Sequence, residues 1–290
     1  SRDWSSDVCS PDLENFRPGT LERLGLDPAE LLARNPGLVV LRVTGFGQTG
    51  PYRSQPGFAS IAEAMSGFAG LSGEPDGAPL LPPIALTDEV TGLVAAFATM
   101  VAVHSGVGQV VDVSLLESIF QLMSPLVTLY GLTGEMQGRL GSRIPYTVPR
   151  GTFQCADGGW IGVSSSSDSV AARLMQLLGI DDDARFATFA ARVEHRDELE
   201  QLVRDWCMRR TVAEALREME AADVAAGPVL DMAGIAEDPH FAARGDIVEL
   251  DGTPMQGLIA RLSATPGALR WQGRPKDADG QEIRTKGWNR

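Results

Sequence analysis

Two kinds of apolar run organise the first half of the chain. Residues 38–44, L-V-V-L-R-V-T, are β-branched and nearly continuous and lead into G-F-G. That pattern predicts a parallel strand covered on both faces, followed by a glycine loop. The second run is longer. Val90, Leu93, Val94, Ala96, Phe97, Met100 and Val101 leave almost no polar face, so a helix here is expected to be buried all round. Just downstream, residues 108–114 alternate apolar with polar as a strand does. Ser114, with Glu117 three residues on, predicts a capping box opening a helix that runs toward Leu132 and breaks at Pro125. Residues 55–73 form a small-residue stretch suited to a closely packed helix, and N-F-R-P-G at 15–19 is a turn with Gly19 free to take positive φ.

The second half changes character after a Gly-, Pro- and Arg-rich boundary at 138–151. Residues 153–164 read as a hairpin built on Asp157-Gly158, and helical patterns follow at 169–178, 197–209 and 211–222. Trp160 and Trp206 are expected in its core. This predicts a compact α+β domain over 142–226. Residues 227–290, with A-G-P-V-L and E-D-P-H-F near their start, are expected to form a linker returning to a large domain that spans 14–141.

Composition narrows the partners. With 43% hydrophobic and 22% charged residues, the 290-residue chain can build an ordinary globular core. A net charge of -13 argues against nucleic acid and anionic membrane surfaces. The longest apolar run, 90–103, is interrupted by Gly92 and Thr99, so no membrane span is expected. Cys9, Cys155 and Cys207 are odd in number and widely spaced, which fits a reducing, cytoplasmic compartment. His104, His195 and His240 show no ligand spacing, so no metal is expected.

One acid stands out. Asp88 opens the long apolar helix, where the positive end of the helix favours its ionised form. Thr87 and Asp88 are both good N-cap residues, so on pattern alone ordinary helix punctuation accounts for an acid there better than chemistry does.

Four segments resemble the class III CoA-transferases, the CaiB/BaiF family that includes formyl-CoA transferase and the α-methylacyl-CoA racemases. They are E-N-F-R-P-G-T-L-E-R-L-G-L (14–26), G-F-G-Q-T-G-P-Y (45–52), the Asp88 helix with G-Q-V-V-D-V-S-L-L-E-S (108–118), and A-G-P-V-L with E-D-P-H-F (226–241), in family order. The resemblance implies an α/β fold: a Rossmann-like large domain, incomplete here, with a smaller α+β domain, in chains that interlock as homodimers. It implies acyl-CoA and a carboxylic acid as substrates, coenzyme A thioesters with no tightly bound cofactor, and Asp88 as the catalytic nucleophile. Coenzyme A contacts are implied for Asn15, Phe16, Arg23, Leu24, Gly57 and Phe58. Residues 1–13 do not resemble the family and are expected to be extraneous to the fold; the family carries a further segment before E-N-F-R-P-G, so the chain is expected to lack part of the large domain.

One departure discriminates between activities. The racemase branch has Gly-His-Asp where this chain has Gly57, Phe58 and Ala59. A racemase needs a base on each face of the α-carbon, whereas transfer needs one carboxylate nucleophile. The sequence therefore favours acyl-CoA:carboxylate CoA transfer. A 2-methylacyl-CoA racemase with an unidentified second base and a non-catalytic CoA-binding protein are the alternatives. Asp112, Ser114 and Glu117 are read as structural.

Overall fold

A computed structural model describes residues 11–165, 167–273 and 275–286. The chain divides into two compact units, residues 1–146 and 147–290, and both mix helices with small sheets.

The first unit is built on a parallel three-stranded sheet in the order β1 (Pro11–Glu14), β2 (Val39–Thr44), β3 (Gln109–Ser114). β2 is central and almost wholly buried, as its unbroken apolar run requires. Residues 11–13 lie in the stretch expected outside the fold, yet they pair with Val39, Val40 and Leu41. Ladder bonds are main-chain bonds, so an unfamiliar sequence is no bar to an edge strand.

Helices α1 (Thr20–Arg23) and α2 (Pro28–Arg34) connect β1 to β2. Gly19 takes φ 82° at the entry to α1, as the N-F-R-P-G turn predicted. Between β2 and β3 come α3 (Ala59–Met65), α4 (Phe68–Leu71) and α5 (Leu86–Ser105). The single helix expected over 55–73 is two short ones, because Gly67 at φ 94° interrupts the helical path. After β3 come α6 (Leu115–Phe120), a 3₁₀ turn at Gln121–Met123 and α7 (Leu126–Thr133), with the break at Pro125 where the sequence placed it.

The helix α5 corrects the sequence reading. Its inward face is small and partly polar: Thr87, Thr91, Ala95 and Ala102 are buried, with Ala95 packing against Leu41 and Val113 of the sheet. The large residues point outward, Leu93 at 67% and Phe97 at 74% exposure, with Met100 and Val101 also exposed. Small side chains let the helix approach the sheet closely, and apolar residues all round it do not determine which face packs inward. At 20 residues α5 is also long and apolar enough to cross a membrane by length and composition, which the reading of 90–103 as interrupted had excluded. Its contacts with β2, β3, α3 and α6 make it a sheet-covering helix of this unit.

The second unit folds around a sheet of β4 (Arg150–Gln154), β5 (Trp160–Ser164) and β6 (Ala226–Pro228), all antiparallel. The β4–β5 hairpin turns at Asp157-Gly158, with Gly158 at φ 83°. Helices α8 (Asp168–Leu178), α9 (Phe189–Glu194), α10 (Arg196–Cys207) and α11 (Val212–Ala221) accompany it. Phe153, Ile161, Leu174, Leu199, Val203, Trp206 and Met219 form its core. Trp160 is 44% exposed and outside that core, contrary to expectation. Strand alternation explains this: Ile161 and Val163 point inward, so Trp160 points out. β6 extends past the expected end of this domain near Ala226, because its backbone completes the β5 edge. Beyond it lie α12 (Met232–Glu237), α13 (Pro239–Arg244), the hairpin of β7 (Ile247–Leu250) and β8 (Thr253–Gln256), and α14 (Gly280–Lys286).

Candidate active site

Asp88 does not cap its helix. The N-cap is Ala85, which has no side-chain hydrogen bond, so Asp88 is the third residue of the first turn. Capping therefore does not explain this acid, although a first-turn carboxylate still meets the positive end of the helix, as Glu89 beside it does. Thr87 is fully buried and Asp88 is exposed, as residues about 100° apart on one helix can be.

Asp88 opens onto a cavity of about 570 Å³ at the carboxyl end of β2. Ligands in parallel α/β sheets bind at that end. The lining brings together Asn15, Gly45, Gly57, Phe58, Glu63, Asp88 and Leu115 from five parts of the sequence, with Leu81 and Ile84 among its other apolar members. Phe16, Arg23 and Leu24 are not among the lining residues. Arg23 instead donates through Nη2 to Thr20 Oγ1 at 2.7 Å, while Phe16 and Leu24 are exposed.

The glycine-rich loop is shaped from two sides. Thr44 Oγ1 accepts the Gly47 N–H at 2.9 Å, and Asp112 Oδ2 accepts the Gln48 N–H at 2.9 Å. Asp112, read as structural, does its structural work on this loop. The Leu116 N–H is donated to the Gly45 carbonyl, which ties the start of α6 to the same loop. Ser114 Oγ accepts the Glu117 N–H, and the Ser114 hydroxyl in turn donates a hydrogen bond to the Glu117 carboxylate at 2.7 Å. The expected box is thus altered: its second bond is made by the Ser114 hydroxyl, at a residue that also ends the β2–β3 ladder opposite Thr44.

The turn holding Asn15 is anchored by a buried ion cluster. Arg42 on β2 donates through Nε to Glu14 at 2.5 Å and through Nη1 to Glu22 at 2.8 Å, while Glu14 also accepts the Phe16 N–H. Burial alone would lower the Arg42 pKa, but its hydrogen bonds to Glu22 and Glu14 more than offset that and raise it. The Arg42 hydrogen bond in turn lowers the Glu22 pKa below its usual value. Both ends of the Asn15 turn are therefore tied to the central strand.

Sequence reasoning missed Glu63. It is 3% exposed, lines the cavity with Asp88, and accepts the Thr87 hydroxyl proton at 2.9 Å. The available signal was a lone acid among the small and apolar residues of A-S-I-A-E-A-M.

The family model of CoA-transferase family III matches residues 5–280. The succinyl-CoA–D-citramalate CoA-transferase of Chloroflexus aurantiacus is 41% identical over 285 residues, covering 94% of this chain and 71% of the relative. The succinate–glutarate CoA-transferase of Agrobacterium fabrum is 34% identical over 270 residues, covering 90% of this chain and 67% of the relative. A crystal structure of a CaiB/BaiF family protein from Brucella suis matches with a TM-score of 0.82 at 31% identity, covering 95% of this chain and 75% of that one.

Proposed function

This chain belongs to CoA-transferase family III, and from that premise we propose that it moves coenzyme A from an acyl thioester to a free carboxylic acid through Asp88. The observation that carries this reading is the position of Asp88 in an uncapped first turn, exposed to a cavity that also holds Asn15, Gly45 and Gly57.

The steps balance without a redox partner. An Asp88 carboxylate oxygen attacks the donor thioester carbon, the C–S bond breaks, and a mixed anhydride and the CoA thiolate result. The thiolate then attacks the Asp88 side-chain carbonyl carbon. The donor acid leaves as its carboxylate, and an aspartyl-CoA thioester remains. An acceptor carboxylate repeats the sequence in reverse, which regenerates the Asp88 carboxylate. A carboxylate is a weak nucleophile in water, so partial desolvation and N–H donors for the developing oxyanion are needed. The glycine loop beginning at Gly45 is the candidate donor, and the apolar lining supplies the drier surroundings.

By the family resemblance, Asn15, Phe16, Arg23, Leu24, Gly57 and Phe58 hold coenzyme A, a transient substrate and not a resident cofactor. The parallel sheet with α5 crossing between β2 and β3 supports a Rossmann-like reading of the first unit. Covering the outward apolar side chains of α5, part of which are already shielded, would contribute about 1–2 kcal/mol each before the cost of association, which supports self-association as an interlocked homodimer. The buried free thiols Cys155 and Cys207 fit a cytoplasmic location.

Named activities of the relatives suggest the first assay: succinyl-CoA as donor with D-citramalate or glutarate as acceptor. Asp88→Ala should abolish exchange, and hydroxylamine should release CoA from the enzyme only when Asp88 is present. Exchange surviving Asp88→Ala would overturn the reading. A racemase would need a second base in the cavity, and Glu63 is present, although its Oε1 already accepts from Thr87. Solvent deuterium entering the α-carbon of a 2-methylacyl-CoA without any acceptor acid would favour that alternative.

A further inference from the structure

The first turn of α5 has no side-chain cap, yet it must hold a reacting carboxylate in place. What fixes it is a sideways bond. Thr87, fully buried, donates its hydroxyl proton to Glu63 Oε1 of α3 at 2.9 Å, and the Thr91 hydroxyl donates to the Thr87 carbonyl at 2.7 Å. Glu63 is itself 3% exposed, and it reaches the wall of the same cavity as Asp88. A buried acid in this position carries a desolvation cost that a partner must offset. The Thr87 hydroxyl is that partner, and it belongs to the residue directly before Asp88.

We propose that Glu63 is a positioning residue for the transfer reaction: acting through Thr87, it sets the rotation of the first turn of α5 and so the aim of the Asp88 carboxylate into the cavity. A small rotation of this first turn displaces the Asp88 carboxylate in proportion to its distance from the helix axis. Displacement of a reacting group by about 1 Å can cost on the order of a hundredfold in rate. The inference rests on Asp88 being the acyl acceptor.

The test uses the full-length protein with succinyl-CoA as donor. Glu63→Ala and Thr87→Val should each lower kcat about tenfold or more, with the KM for succinyl-CoA changing by less than about twofold. Glu63→Gln and Thr87→Ser, which keep the acceptor and the hydroxyl, should restore most of kcat. The Glu63→Ala, Thr87→Val double variant should be little worse than either single one, because both remove the same bond. Hydroxylamine titration of active sites separates aim from folding. The proposal expects a full complement of sites that react slowly, whereas a merely structural role gives fewer sites reacting at the normal rate. Normal kcat in Glu63→Ala, or strictly additive losses in the double variant, overturns it. If Asp88→Ala stays active the underlying reading fails instead, and an inactive Asp88→Ala beside a fully active Glu63→Ala sinks this inference alone.

Discussion

A Cβ built on Gly45 would lie 2.8 Å from the Gly57 Cα, and one built on Gly57 would lie 2.9 Å from the Gly45 Cα. The two backbones meet at the cavity wall, and neither position has room for a side chain. This contact draws residue 57 and its neighbour Phe58 to the end of β2, where Asp88 also opens.

Gly57→Ala should therefore push the glycine loop off the wall. Overpacking of this kind typically costs about 1–3 kcal/mol. The expected result is a lowered melting temperature together with a loss of CoA exchange larger than the stability change explains, measured by thermal denaturation and steady-state kinetics. Gly50→Ala serves as a contrast: it introduces strain at φ 85° but meets no neighbouring atom.

The outward face of α5 yields a second expectation. Phe97 is 74% exposed within this chain, with Leu93 and Met100 on the same helix also exposed. If two copies cover this face, Phe97→Glu should shift sedimentation velocity profiles toward the monomer. A Phe97→Glu protein that sediments like the unaltered one would place the shared surface elsewhere.

Glu22 links acid sensitivity to the Asn15 turn. The Arg42 hydrogen bond lowers its folded pKa below 4.5, its unperturbed value. A lowered folded pKa means that its contribution to stability is present above that unperturbed value and is lost as pH falls through the lowered one. Urea unfolding of Glu22→Gln and the unaltered protein should differ at neutral pH, and the difference should shrink below about pH 4. A gap that stays constant down to acid would mean that Glu22 is not paired with Arg42.

The thiols of the second unit should be inert. Burial pushes the Cys207 pKa up to about 12, and burial with the nearby Asp157 carboxylate raises that of Cys155. Because the thiolate is the reactive form, both should resist iodoacetamide at mildly alkaline pH until the unit unfolds. Peptide mass spectrometry over a urea series reads this directly. Rapid labelling in the native protein would contradict the burial of these thiols.

Much of the fold was legible because local rules govern it. The short, β-branched run of β2 favours a covered strand, Asp157-Gly158 suits a tight hairpin, and Pro125 interrupts a helix. Asp88 stood out as a candidate through the motifs around it, and the structure places it on a cavity. Glu63 was not, because nothing local marks an acid that meets its partner 24 residues away. Trp160 was misplaced because composition says a tryptophan is apolar, whereas strand parity decides which way it points.

The sequence by itself determined the main strands and helices between residues 19 and 222 and the kinship with the transferases, and it singled out Asp88 as the candidate acid. These depend on neighbours within a few residues, or on motifs that survive as strings of letters. Only the tertiary structure decided that Asp88 is not a cap, that α5 packs its small face inward and leaves its large one open, and that Gly45, Gly57 and Glu63 line one cavity with Asp88 while Thr87 bonds Glu63 behind it. Those outcomes turn on which surfaces approach within a few ångströms of each other across long stretches of chain, and no local pattern of residues encodes such a distance.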